Sequence, residues 1–409
     1  MLNIIYKTFP YGNSESFVDY EIPFFYEITQ KTYRIFSFYK GEKKEHKRKD
    51  DLLGDVFIVK ISPIDYVKSA VSILLPKVRK EFSFMKNRVC RDSFMKCLWR
   101  MLYYRAYGYA FLNVVRHIGV SDGDVFVSYW FNECAYAIVM LKEWYKNIKI
   151  VSRIHGFDVF EDRCYLPFRN EMYKKIDCVY PVNAIEKKYI LERYSSSISD
   201  DRIRVSHLGI NLPDNWYRTN NRSQFTVVSC SSIIPLKRLD MIIDALSEIT
   251  EFSYKWIHIG GGPLEDQMKK RAAMKLVASN QEYVFLGQLS LTEVHRFYRE
   301  SEATLFVNCS DTEGVPVSIM EAMSYGIPVI ARDVGGNSEI VDNRNGILLH
   351  GDCTVHDLSE GIKSVFFKNS FDYLTMRRAA REKVEREFNA DVQYRAFIKE
   401  VMKPITANL

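Results

Sequence analysis

Short β-rich runs alternate with helical patterns along this chain, and that alternation narrows the possible folds more than any other feature. In the first half "LNIIY", "YRIFSF", "DVFIVKI", "DVFVSYW", "IKIVSRI" and "DCVYPV" read as strands. Between them lie helical patterns such as "SFVDYEIPFFYEIT" and "ECAYAIVMLKEWYKN". A second series follows, with strands "FTVVSCSSI", "YKWIHIGGG", "YVFLGQ", "ATLFVNCS", "IPVIARDV" and "GILLH" separated by helices. Strands alternating with helices imply βαβ units and parallel sheets. At 409 residues the chain exceeds one ordinary core, so two Rossmann-like domains are expected. The polar, aperiodic "NLPDNWYRTNNRSQ" is the expected linker, which puts the domains at 1–213 and 221–388. The tail is helical on both sides of a break near Asn389, and 389–409 is expected to cross back onto the first domain.

Composition excludes several classes. The chain is 47% hydrophobic and 26% charged, as globular proteins are, and no apolar run approaches the length of a membrane span. The start "MLNIIYKTFPYG" lacks signal-peptide anatomy, and the eight cysteines form no CxxC pair or metal-ligand spacing. A cytoplasmic chain with buried free thiols is expected. Charge is uneven: residues 1–118 carry 21 Lys and Arg against 12 Asp and Glu, and the remainder is net acidic. The excess concentrates in 77–111, "KVRKEFSFMKNRVCRDSFMKCLWRMLYYRAYGYAF". This run reads either as a surface for anionic lipid headgroups or as amphipathic helices with a solvated basic face. No nucleic-acid module accompanies it.

The densest candidate site is "TEGVPVSIMEAMSYGIPVIA", with Glu313 in a loop and Glu321 inside the helix that follows. Gly314, Val315 and Pro316 hold the loop open, and the helix starts near Ser318 and stops at Gly326. First-turn amides from Val317 onward lack intrahelical acceptors and can bind a pyrophosphate. A carboxylate beside phosphate needs a neutral partner, so Glu321 suits the vicinal diol of a ribose and Glu313 the hydroxyls of a sugar beyond the phosphates. Without further context, a solvated loop glutamate and a favourable helix-start charge are the better account of the pair, because two glutamates alone are a weak signal. Gly12 in "FPYGNSESF" permits close approach of backbone to a phosphate or acceptor, or a simple turn. Gly261 and Gly262 in "HIGGGPLED" lie in a strand-to-helix loop suited to a nucleotide, but GxGxxG is absent. The Asp-x-Asp of "SDGDVF", Asp122 to Asp124, precedes a strand and reads as a turn.

The stretch "SDTEGVPVSIMEAMSYGIPVIARDVGGNSEIV", with "FLGQLS" before it and "NGILL" after it, resembles the retaining GT-B glycosyltransferases of glycosyltransferase family 4, whose signature is Glu, seven residues, Glu. The resemblance covers nearly the whole chain and is weakest between about residues 40 and 125. It implies two Rossmann-like domains facing an interdomain cleft. It implies catalytic roles for Glu313, Lys237 in "SSIIPLKRLD" and His155 in "RIHGFD", with Lys237 offsetting charge on a departing diphosphate. It places Gly287 and Gln288 of "FLGQ" at the nucleotide base. The family commonly has an arginine five residues before this lysine; here Ser232 stands there, with Arg238 as the neighbouring substitute.

The expected activity is transfer of a sugar, with retained configuration, from a nucleotide-diphosphate sugar to a hydroxyl of a saccharide acceptor. A lipid-linked saccharide in capsule or O-antigen assembly suits the basic-aromatic first domain, with the protein peripheral on the inner face of the membrane. No metal and no other cofactor are required. The alternatives are a GT-B sugar-nucleotide epimerase or hydrolase, and a non-enzymatic saccharide-binding protein on the same scaffold.

Overall fold

The computed structural model describes residues 1–11, 15–39, 50–88, 90–214, 216 and 224–404. The chain divides into two units, Met1–His207 with Asp391–Leu409, and Leu208–Ala390. The first unit contains β1 (Leu2–Tyr6), β2 (Tyr33–Ser37), β3 (Asp55–Ile58), β4 (Val125–Ser128), β5 (Lys149–Ile154) and β6 (Cys178–Pro181). They form one parallel sheet in the order β3-β2-β1-β4-β5-β6. Its helices are α1 (Ile22–Thr29), α2 (Pro63–Val71), α3 (Pro76–Lys86), α4 (Phe94–Ile118), α5 (Glu133–Lys142), α6 (Arg169–Lys175) and α7 (Ala184–Tyr194).

Alternation along the strands feeds two cores. Ile4, Ile35, Val127 and Val151 join the apolar cluster containing Ile22 and Phe25 of α1. Ile5, Phe36, Phe126 and Ile150 point into the larger cluster built on α4 and α5. Both faces of the sheet are therefore covered, as parallel sheets require. Each such side chain contributes roughly 1.5–3 kcal/mol by leaving water.

Local signals explain where helices differ from the sequence reading. "SFVDYEIPFFYEIT" is two pieces, a 3₁₀ turn over Ser16–Tyr20 and then α1. Pro23, which lacks an N–H, falls in the first turn of α1, where no donor is needed. The run 77–111 likewise divides into α3 and α4, and the Ser93 side chain accepts from the Lys96 amide at 3.3 Å to start the second helix. Helix α2 went unread, although "SPID" announces it: the Ser62 and Asp65 side chains exchange capping bonds around Pro63. Asp122-Gly123-Asp124 is a turn, with Gly123 at φ +82° and the Asp124 carboxylate receiving the Ser121 amide at 3.0 Å.

The second unit repeats the plan with β7 (Phe225–Cys230), β8 (Tyr254–Ile259), β9 (Gln281–Phe285), β10 (Ala303–Asn308), β11 (Val329–Arg332) and β12 (Gly346–Leu349). Its parallel sheet runs β12-β11-β10-β7-β8-β9. The helices are α8 (Leu239–Ser247), α9 (Glu265–Lys275), α10 (Leu291–Glu300), α11 (Val317–Ser324), α12 (Asn337–Ile340), α13 (Val355–Phe366) and α14 (Ser370–Glu387). In each sheet the first and fourth strands are neighbours, β1 with β4 and β7 with β10, and the chain winds away from them in opposite directions. Loops leaving the carboxyl ends of such a strand pair splay apart and leave a crevice.

The tail breaks where expected. The Ile210 amide donates to the Phe388 carbonyl at 2.9 Å and the Ala390 amide donates to the Ile210 carbonyl at 3.0 Å, so a passing strand separates α14 from α15 (Ala390–Met402). Helix α15 packs on the first unit: Arg395 pairs with Glu27 at 2.7 Å, and the Phe397 ring lies 3.9 Å from the Arg153 guanidinium. Arg153 and Glu21 form a fully buried ion pair at 2.8 Å beneath it.

Candidate functional site

In the second unit the crevice between β7 and β10 collects the carboxylates read from the sequence. Glu313, in the loop after β10, is 9% exposed. Its Oε1 accepts from Lys237 Nζ at 2.7 Å and from Asn308 Nδ2 at 3.1 Å. Lys237 comes from the loop after β7 and Asn308 ends β10, so the cluster spans both strands of the switch point. The loop after β11 supports it from below. Gly335 has φ +53°, and a Cβ there would stand 1.8 Å from the Glu313 carbonyl oxygen. The next amide, Gly336, donates to the Gly314 carbonyl at 2.9 Å. Neither Gly335 nor Asn308 was singled out from sequence.

Helix α11 begins at Val317, with Pro316 at its cap, and the Ile319 and Met320 amides both turn back to the Pro316 carbonyl. The Val317 and Ser318 amides precede these bonds and have no intrahelical acceptor. Val315 is buried in the loop ahead. Glu321 lies one turn into α11 and is 7% exposed. Its position shows in its neighbours: burial, then the Glu321 charge, pushes the Cys230 thiol at the end of β7 well up, while Lys237 pulls it down. The Cys230 thiol thus lies within the field of both Glu321 and Lys237.

The glycines of the adjoining loops lock together. The Gly260 amide donates to the Gly287 carbonyl at 2.8 Å, and the Ile233 amide donates to the Gly261 carbonyl at 2.9 Å. Gly262 sits so close that a Cβ would be 2.6 Å from the Ile233 carbonyl oxygen. Gly287, at φ +71°, has open space beside it, and Gln288 is exposed. Below them His258 meets the Ser229 hydroxyl at 2.9 Å, and burial holds its pKa down at about 4. Arg238 turns to acids, pairing with Asp311 at 3.2 Å and Asp240 at 3.3 Å, while Ser232 is exposed.

In the first unit His155 follows β5. Its ring lies between Trp130, with centroids 4.6 Å apart, and Tyr129, at 5.2 Å. Burial and the Arg153 charge push its pKa down to about 3, so the ring is neutral at physiological pH. Asp158 ties this loop to the loop after β4, accepting from the His155 amide at 2.8 Å and the Phe131 amide at 2.6 Å. Burial raises the Asp158 pKa to about 7 against the pull of Arg169 and these amides. Glu15, unread from sequence, organises the loop after β1: its carboxylate receives the Thr8 amide at 2.7 Å, the Phe9 amide at 2.6 Å and Trp130 Nε1 at 2.6 Å. No local pattern marks such an acid, since its partners come from β1 and β4 loops far apart in sequence. Gly12 lies outside the described residues.

Known proteins share sequence and fold with this chain. Residues 216–383 match the family "Glycosyl transferases group 1". An O-antigen biosynthesis glycosyltransferase of Escherichia coli, WbnH, is 28% identical over 210 residues, 46% of this chain and 57% of WbnH. The chain therefore aligns with little more than half of that relative's length. A putative colanic acid biosynthesis glycosyltransferase of E. coli K12, WcaL, is 21% identical over 75% of this chain and 78% of its own. Among solved structures, Anabaena HepE in complex with UDP and glucose superposes with a TM-score of 0.68 at 15% identity, covering 98% of both chains. The apo lipopolysaccharide outer core galactosyltransferase WaaB superposes with a TM-score of 0.69, also at 15% identity. The chain has the two-sheet GT-B fold of these structures, and its residues 216–383 are similar to the glycosyl transferases of group 1.

Proposed function

We propose that this protein transfers a sugar from a nucleotide-diphosphate donor to a hydroxyl of a saccharide acceptor, with retained configuration, in the assembly of an envelope polysaccharide. The observation that carries this reading is the Lys237–Glu313–Asn308 cluster set at the switch point beside the start of α11. The Val317 and Ser318 amides and the Lys237 ammonium supply positive charge for a diphosphate. Glu321 suits the ribose diol, and Glu313 the hydroxyls of the transferred sugar. The loops carrying Gly261, Gly262, Gly287 and Gln288 offer backbone atoms to the base. Because a lysine and helix amides meet the leaving group's charge, no metal ion is needed for departure. Arg238, engaged with Asp240 and Asp311, shapes the loop around Lys237 rather than replacing the missing arginine.

The loops around Glu15, Trp130 and neutral His155 in the first unit are the acceptor surface in this reading, with His155 meeting a sugar hydroxyl or phosphate. A lipid-linked acceptor fits the same unit's exterior. Helices α2, α3 and α4, with the 3₁₀ turn Ser72–Leu74 between the first two, expose Val67, Val71, Leu74, Phe84, Met95 and Trp99. Lys68, Lys80, Lys86 and Lys96 stand exposed among them. Basic and apolar groups mixed in this way suit an anionic lipid surface. No helix among the described residues is long and apolar enough to cross a membrane, so contact would be peripheral.

The test is a thermal-shift panel of UDP-, GDP-, ADP- and dTDP-sugars, followed by turnover of any binder with lipid-linked saccharides in the presence of EDTA. The expected outcome is stabilisation by one nucleotide class and metal-independent transfer with retention. Product formed without an acceptor would indicate epimerisation or hydrolysis. Stabilisation by none of the donors would overturn the reading.

A further inference from the structure

In the second unit, the Lys237–Glu313 pair sets two demands against each other. Both donors of the cluster meet one oxygen: Lys237 Nζ at 2.7 Å and Asn308 Nδ2 at 3.1 Å reach Glu313 Oε1. Oε2 accepts no hydrogen bond among the described residues. A lysine that serves a diphosphate must give its charge to phosphate oxygens, yet here that charge is committed to Glu313. Glu313 is 9% exposed, and a carboxylate so placed is costly to leave without a donor, because little water reaches it. A diphosphate can draw Lys237 away only where another group keeps Glu313 satisfied.

Asn308 is that group. It is 6% exposed, and its Oδ1 accepts the Ser310 amide at 3.1 Å, so Nδ2 is the atom turned to Glu313. The segment that follows it is held as well. Arg332 Nη1 donates to the Cys309 carbonyl at 3.0 Å and to the Asp311 carboxylate at 2.6 Å, while its Nε donates to the Gly351 carbonyl at 3.0 Å. Lys237 differs in each respect. Its side chain is 22% exposed and carries a rotatable ammonium on a flexible aliphatic stem. One donor is free to turn and the other is fixed. An amide has no net charge, so a phosphate beside the cluster attracts the ammonium far more strongly than it attracts Asn308.

We propose that Asn308 is a positioning residue: it holds Glu313 in place while Lys237 exchanges that carboxylate for the diphosphate of the donor, an inference that rests on the donor site proposed above. The exchange strands no buried charge, since the Asn308 amide stays on Oε1. Oε2 remains available to a hydroxyl of the transferred sugar. Because Lys237 gives up one ion pair to form another, its net gain in the bound ground state is small. That gain grows as negative charge develops on the leaving group, where it accelerates transfer.

The experiment is calorimetric binding of UDP, GDP, ADP and dTDP to the full chain at fixed ionic strength. It compares wild type, Asn308→Leu, Glu313→Gln and the double variant. The nucleotide that binds the wild type should bind Asn308→Leu about tenfold more weakly, because Lys237 is then the only donor on Oε1 and resists departure. In the Glu313→Gln background there is no carboxylate to strand, and the same substitution should leave affinity within about twofold. A purely structural role for Asn308 would weaken binding equally in both backgrounds. Asn308→Ala repeats the cycle with a smaller side chain, and circular dichroism checks that each variant folds. Binding of none of these nucleotides by the wild type overturns the donor site and this proposal together. Binding by the wild type with unchanged affinity in Asn308→Leu and Asn308→Ala, or with equal losses in both backgrounds, overturns the role of Asn308 alone.

Discussion

At the scale of single residues, the central contact is the one between Lys237 and Glu313. If Lys237 meets charge that develops on a leaving diphosphate, Lys237→Met should lower kcat by about 10²–10³ with a smaller change in KM, because the lost interaction belongs to the transition state. Glu313→Gln keeps the shape and should also lose turnover. Steady-state kinetics on the donor identified by thermal shift checks both, and wild-type kcat in either variant removes that residue from the chemistry. Histidines give a second test at this scale. His155 and His258 have folded pKa values of about 3 and about 4, below the ordinary 6.5. An unfolded chain therefore binds protons that the folded chain refuses. The stability contributed by each neutral ring is complete above pH 6.5 and is lost as pH falls toward the folded value. Each contributes a slope of up to about 1.4 kcal/mol per pH unit below 6.5. Urea titrations at pH 7.5 and 5.5 should show this loss, and His155→Phe, which keeps the ring between Tyr129 and Trp130, should make it shallower.

At the scale of elements, the loops of the second unit hold Glu313 by close backbone approach. Gly335 is where that packing is tightest. Gly335→Ala places a side chain in left-handed backbone, costing about 1–2 kcal/mol, and drives it into the Glu313 carbonyl. The expected result is a folded protein with a modestly lower Tm and a much larger loss of turnover, read by circular dichroism and kinetics on the same sample. An unchanged kcat would show that the Glu313 loop tolerates displacement. Most elements were legible from sequence. Eleven of the twelve described strands lie within the apolar runs read as strands, and β9 overlaps its run from Tyr283 onward, since a strand buried on both faces must be short and apolar wherever it occurs. Helix boundaries were less legible. The division of 77–111 into α3 and α4 depends on the Ser93 cap, whereas the break near Asn389 was legible and the structure adds only the backbone bonds from Ile210 that fix it.

At the scale of the whole molecule, the exposed apolar and basic face of α2, α3 and α4 predicts behaviour that no single residue does. The protein should float with liposomes containing anionic lipid at low salt and be released as salt screens the lysines. Trp99→Glu with Leu74→Glu should abolish flotation while leaving Tm within a few degrees, because both side chains are already exposed. Absence of the wild-type protein from the floating fraction would remove the membrane from the proposal. The sequence reading saw half of this face in the run 77–111; α2 joins it because folding packs α2 beside α4. What the sequence determined alone was local: strand and helix alternation, the start of α11, and the two glutamates eight positions apart. What tertiary structure decided was the company those groups keep. Lys237 reaches Glu313 because β7 and β10 are neighbours, and Glu15 gathers donors from two loops. The physical reason is range: helix caps and apolar periodicity act over a few residues, whereas burial and pairing of charge depend on atoms brought together from distant parts of the chain.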